Sequence, residues 1–154
     1  MFRIDIASPY TWYYAIQTAH EYSSVTVSAK VDGSPPGSIG LVCFYNESNG
    51  WYEFNIASDK TFSVLLGQWL TDGVAHYTPL VTDTTDALET ENLKYEVGLT
   101  CQEKFLLLYI NRNLIGEVDV SKYGLAEGKI GITASSFEEL PMIALFDWVH
   151  VSEK

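Results

Sequence analysis

The sequence predicts an all-β protein, a two-sheet antiparallel β-sandwich, and three observations carry that prediction. Apolar and polar residues alternate with period two, as in Val25-Thr-Val-Ser-Ala-Lys-Val31, which is how a strand with one buried face reads. Turn formers such as Asp32-Gly-Ser-Pro-Pro-Gly37 and Asn49-Gly50 separate the runs. The composition, 47% hydrophobic and 14% aromatic over 154 residues, favours strands over disorder and suffices for one domain with a substantial core.

The first strand runs from Phe2 to Ile6, after which Ala7 to Tyr22 reads as irregular and aromatic, with Trp12, Tyr13 and Tyr14 plugging an end of the sandwich. A strand over Val25 to Val31 ends at the Asp32 to Gly37 loop. A meander follows: Ile39 to Tyr45, a turn over Asn46 to Gly50, Trp51 to Ala57, a turn at Ser58 to Lys60, and Thr61 to Gly67. Asn49-Gly50 supplies the positive φ such a hairpin wants. Gln68 to Glu91 reads as a looser, acidic surface excursion with room for a short strand around His76 to Val81. A second meander then runs Leu93 to Cys101, Phe105 to Ile110, an Asn111-Arg-Asn113 turn, and Leu114 to Val120. Gly128 to Ile132, a loop at Phe137 to Pro141 and a closing strand from Ile143 to Val151 complete the chain. No repeat or composition break divides it, so residues 1–154 read as a single domain.

The formal net charge of −11 repels phosphate backbones, which argues against nucleic acid as a partner. No run approaches ~18 apolar residues, so membrane insertion through a helix is not expected. Met1 leads straight into a strand without a leader pattern; the chain reads as a domain excised from a longer, secreted or cell-surface protein. Cys43 and Cys101 both lie in strand-like runs. They are either buried free thiols or a disulfide, which needs a Cα separation of about 4.4–6.8 Å.

No constellation announces catalysis. His20, His76 and His150 lack metal-pair spacing, and no nucleophile elbow or phosphate loop is present. No cofactor is expected; the acidic residues between Asp72 and Glu91 could hold Ca²⁺ but lack the Asp-x-Asp-x-Asp spacing that would support it. The best ligand platform is the strand face shared by Trp51, Glu53 and Asn55, extended by Tyr45. An exposed indole there would stack on a sugar ring while the carboxylate and amide orient its hydroxyls. The plainer alternative, which the pattern favours, has Trp51 covering the sheet rim and Glu53 merely solvated.

Gly40-Leu-Val-Cys-Phe-Tyr45, Trp51-Tyr-Glu-Phe-Asn-Ile56, Phe62-Ser-Val64, Asn92-Leu-Lys-Tyr-Glu-Val97, Leu106-Leu-Leu-Tyr-Ile-Asn111, Gly128-Lys-Ile-Gly-Ile132 and Phe146-Asp-Trp-Val149 follow one another in an order that resembles the concanavalin A-like lectin/glucanase superfamily. More closely, the order is similar to laminin-G-like bacterial jelly-roll modules. The resemblance spans about Val25 to Val151 and implies a jelly roll with one concave sheet that binds sugars or proteins on that face or its rim loops. The superfamily's glucanases carry Glu-x-Asp-x-x-Glu on one strand; Glu117-Val-Asp119 supplies its first half, but Lys122 stands where the last Glu belongs. Glu117 and Asp119 therefore read as a solvated strand face.

Together these readings give a non-catalytic module that recognises carbohydrate or a protein partner, its oligomeric state unspecified. The alternatives are a glycoside hydrolase with carboxylates from different strands, for example Glu53 with Asp119, and a structural spacer.

Overall fold

The computed structural model describes residues 1–34, 36–71 and 73–153. Pro35 in the expected Asp32 to Gly37 loop, the acidic Asp72 and the terminal Lys154 lie outside the described residues.

Strands β1 (Phe2–Ile6), β2 (Trp12–Ile16), β3 (Val25–Gly33), β4 (Gly37–Asn46), β5 (Gly50–Ala57), β6 (Thr61–Thr71), β7 (Val74–Thr84), β8 (Tyr95–Cys101), β9 (Phe105–Ile110), β10 (Asn113–Asp119), β11 (Lys129–Ser136) and β12 (Met142–Glu153) make up the fold. They form two antiparallel six-stranded sheets, one ordered β1-β12-β3-β8-β9-β10 and the other β2-β11-β4-β5-β6-β7. Among the described residues no helix is long and apolar enough to cross a membrane. The core fills the space between the sheets. From one side come Val27, Val97, Leu99, Leu106 and Leu108, and from the other Leu41, Tyr52, Phe54, Ile56 and Ile132, the alternate positions that period-two patterning assigns inward.

Cys43 on β4 and Cys101 on β8 form a disulfide, with a Cα–Cα distance of 6.6 Å, so of the two readings of the cysteines the bond is the one realised. It ties one sheet to the other. The hairpin turns also obey local chemistry. Gly50 takes φ 109°, as Asn49-Gly50 suggests, and the Asn46 side chain accepts from the Ser48 and Asn49 amides. At the β9–β10 turn both Asn111 (φ 51°) and Arg112 (φ 67°) are left-handed, the conformation a two-residue primed turn demands. Asn111 Oδ1 accepts from the Glu96 amide at 2.9 Å, and the Arg112 guanidinium donates to the Glu96 carboxylate, side-chain contacts that hold a turn lacking glycine.

Two expectations need correcting. Gln68 to Glu91 is a surface excursion only after Thr84: β6 continues to Thr71 and β7 returns along it to Thr84 as an edge strand. Period-two reading shortens β7 to the possible strand around His76 to Val81 because register shifts interrupt its pairing with β6 and because it contains Pro79, which only an edge strand or bulge tolerates. Likewise Ala7 to Tyr22 is not wholly irregular. Trp12–Ile16 forms β2, paired with β11 from Ser135↔Trp12 to Gly131↔Ile16.

Candidate functional site

The outer face of the second sheet is where the functional side chains gather. Tyr52, Phe54 and Ile56 turn into the core, so strand alternation sends Trp51, Glu53 and Asn55 of β5 outward. Their neighbours make room. Gly67 of β6 sits opposite Trp51 and Gly40 of β4 opposite Asn55. A Cβ at Gly67 would lie 2.2 Å from the indole, and one at Gly40 would lie 2.0 Å from Asn55 Oδ1; both side chains lie flat against bare backbone.

Tyr45 reaches the same face through an irregularity in β4. Phe44 has φ 54° at a register shift between Cys43 and Asn46, so Cys43 and Phe44 both enter the core and Tyr45 emerges beside Trp51, ring centroids 5.3 Å apart. Its hydroxyl accepts from Trp69 Nε1 at 2.9 Å.

The expectation of an exposed platform fails. Trp51 and Glu53 are 0% exposed and Asn55 4%, which also rules out a merely solvated Glu53. The cover comes from strands at the two opposite edges of the sheet. Trp12 and Tyr14 rise from β2 and Tyr77 from β7; five strand spacings of about 4.8 Å would separate those strands in a flat sheet. Yet the Trp12 and Tyr77 rings stack with centroids 5.2 Å apart, and the Tyr14 and Tyr77 hydroxyls share a hydrogen bond. The sheet is therefore curled, and its edge aromatics close an arch over the centre. Tyr14 and Tyr77 both meet the Trp51 ring edge-on, and Trp69 packs on it from the side.

Beneath the arch, Glu53 accepts from Trp51 Nε1 (2.9 Å), Tyr14 OH (2.8 Å) and Asn55 Nδ2 (2.8 Å). Burial pushes the Glu53 carboxyl above its ordinary 4.5, although these donors pull it back. Burial and then the Glu53 charge push the Tyr14 hydroxyl far above its ordinary 10.0, and burial lifts Tyr77 to about 12. A carboxylate held this way is an anchor for rings; it is not exposed to a ligand.

An open cleft of about 320 Å³ adjoins the arch, at the end of the face that contains Ala57. Tyr10, Trp12 and Phe137 give it aromatic walls, Ser38, Thr61, Ser63, Thr82 and Ser135 supply hydroxyls, and Asn55 contributes from below. Trp12 is 42% exposed and Tyr10 73%. Asn55 Oδ1 has no hydrogen-bond partner among the described residues, and neither has Thr133 Oγ1 on the same face. The loop bearing Tyr10 is docked by backbone hydrogen bonds from Tyr10 N to Phe137 O and from Ser136 N to Thr11 O. Of the four predicted site residues only Asn55 lines this cleft; Trp51 and Glu53 support it from behind, and Tyr45 lies beyond the arch. Tyr10, Trp12 and Phe137 were missed by sequence reasoning, although the alternation of Trp12, Tyr14 and Ile16 with Tyr13 and Ala15 is a strand signal.

A larger cavity of about 560 Å³ lies on the outer face of the other sheet, beside Trp148. Four of its charged groups pair with one another, Lys94 with Asp32 and Arg112 with Glu96, while Lys30 and Asp147 also line it; it has none of the hydroxyl wall of the cleft beside the arch, which makes it the weaker candidate. Glu117 and Asp119 are exposed on edge strand β10, the solvated face the sequence suggests. The suggested pairing of Glu53 with Asp119 fails, because they belong to different sheets. Among the described residues no group of acidic, His or Cys side chains could hold a metal ion.

No family model and no curated protein sequence matches the chain. Solved structures do. The carbohydrate binding module CBM66 from Bacillus subtilis matches with a TM-score of 0.72 at 15% identity, over 97% of this chain and 86% of that one. CG-16, a homodimeric agglutinin from chicken liver, gives 0.63 at 11% identity over 91% and 100%. A Bacillus licheniformis β-glucanase gives 0.61 at 15% over 99% and 78%. The fold is the concanavalin A-like jelly roll. Fold alone does not carry function, and the arch with its adjoining cleft is what this chain builds on it.

Proposed function

We propose that this protein is a non-catalytic carbohydrate-recognition domain and that the cleft beside the arch holds the sugar. The observation that carries this reading is the half-exposed Trp12 indole, fixed by its stack on Tyr77, facing a wall of hydroxyls and the Asn55 amide. A pyranose or furanose ring has apolar C–H faces and an equator of hydroxyls. It gains from a rigid aromatic surface and from oriented donors and acceptors together. The unpartnered Asn55 Oδ1 adds an acceptor whose burial is costly until it is satisfied. Two of the fold neighbours are named as a carbohydrate binding module and an agglutinin, which agrees with this reading at the level of fold.

The non-catalytic part rests on the carboxylates. Glycoside hydrolysis needs two, flanking the scissile bond at about 5–5.5 or 6.5–9.5 Å. On this face Glu53 is sealed under the arch with three donors on it, and Asp59 is the carboxylate at the cleft. The Glu-x-Asp-x-x-Glu spacing recurs at Glu53 and Asn55 of β5 and Ser58 in the turn after it, with an amide and a hydroxyl in place of two acids. The disulfide fits an oxidising, extracytoplasmic compartment.

A glycan array followed by calorimetry tests the proposal. At least one glycan family should bind. Trp12→Ala and Asn55→Ala should each weaken binding about tenfold or more, while Trp148→Ala on the opposite sheet leaves it unchanged. Release of reducing sugar from a bound glycan would overturn the non-catalytic reading.

A further inference from the structure

Resting on that reading, we infer that the cleft accepts the free end of an uncharged glycan chain and excludes its interior. The shape argument comes first. Along β5 the outer face is blocked at its middle by the Trp12–Tyr77 stack and the Tyr14–Tyr77 hydrogen bond, with Tyr14 standing on Glu53. Beyond that block lies a separate cavity, about 450 Å³, around Tyr45 and Trp69, so no chain threads from one to the other. Across the strands the cleft draws on β2 at one edge through Trp12 and on β7 at the other through Thr82. Those edges approach within ring contact at the arch, so the cleft narrows across the strands as it nears the block. The Tyr10 loop, fastened to Phe137, walls a further side. What remains is a pit open near Asp59 and the β5–β6 turn. Its roughly 320 Å³ is at the small end of the range of about 300–1,000 Å³ for small-molecule sites.

The lining then selects the chemistry. Its polar groups are Ser and Thr hydroxyls, the Asn55 amide and the Asp59 carboxylate, and among the described residues no Lys, Arg or His lines it. A uronate or sulfate group would meet Asp59 without a countercharge, on a protein whose formal charge is −11. Neutral sugars meet no such penalty.

The test is titration calorimetry with linear neutral gluco-, manno-, galacto- and fructo-oligosaccharides, each as a ladder from disaccharide to long chain, alongside carboxylated counterparts. End recognition gives one protein per chain at every length and an affinity per chain that stops rising after the first few units. Chemical capping of the recognised end abolishes binding, and carboxylation of that end weakens it about tenfold or more. Several proteins bound per long chain, or affinity that climbs steadily with length, would overturn this inference while leaving sugar recognition intact. No binding to any ladder by well-folded protein would overturn the sugar-binding reading itself.

Discussion

Replacing Glu53 with Ala should cost the protein about 3 kcal/mol. The substitution removes the acceptor for Trp51 Nε1–H and Asn55 Nδ2–H, and neither donor has another partner among the described residues. Tyr14 keeps its bond to Tyr77. An orphaned buried donor costs about 1–3 kcal/mol, so two cost about 2–6. Losing the carboxyl also lifts its own desolvation penalty, the cause of its raised pKa, and that returns part of the sum. For a domain of this length 1 kcal/mol moves the midpoint by about 2–4 °C, so thermal unfolding should fall by about 6–12 °C. Glu53→Gln keeps the shape with one acceptor fewer and should cost about 1 kcal/mol.

The same pair of proteins carries a pH signature. Because the folded pKa lies above the ordinary 4.5, the native protein retains a proton that the unfolded chain has released. Stability from this group is thus fully present below about 4.5 and is lost as pH rises, until Glu53 itself ionises in the folded state. Urea unfolding of both proteins from pH 4 to 8 isolates the effect, since other groups titrate alike in each. The wild type should lose stability relative to Gln as pH rises. Parallel curves across that range, or an Ala variant whose midpoint moves by less than about 2 °C, would refute the account of the arch.

Two further predictions concern the scaffold. The Cys43–Cys101 bond closes a loop of sequence separation 58, which in the chain-entropy treatment stabilises by about 4 kcal/mol. Cys43→Ala with Cys101→Ala should lower the midpoint by about 8–16 °C in a calorimetric scan, and a loss under about 1 kcal/mol would contradict a tie between the sheets. Gly67→Ala drives a methyl to 2.2 Å from a ring packed on its other sides and should cost about 3 kcal/mol, the upper end of ordinary overpacking, with red-shifted tryptophan fluorescence. Gly116→Ala, whose nearest neighbour would be 3.6 Å away, should stay within about 0.5 kcal/mol of wild type.

What the sequence determined by itself was the sandwich and the facing of its side chains. Period-two alternation is a local property, so Tyr52, Phe54 and Ile56 could be sent inward and Trp51, Glu53 and Asn55 outward from β5 alone. Turn chemistry is local too, and Asn49-Gly50 behaves as its residues require. Tertiary structure decided everything that depends on which strands become neighbours. Cys43 and Cys101 pair because β4 and β8 face each other across the core, a separation no spacing encodes. Tyr45 joins the outer face because Phe44 turns left-handed and shifts the register. Above all, the outward face of β5 is covered, because a curled sheet brings Trp12 and Tyr14, far earlier in the chain, against Tyr77 from the opposite edge. Contact across a curved sheet depends on strand order and curvature, and neither is a property of any short stretch of residues. The site therefore moved from the indole of Trp51, sealed beneath the arch, to the indole of Trp12 at its open side.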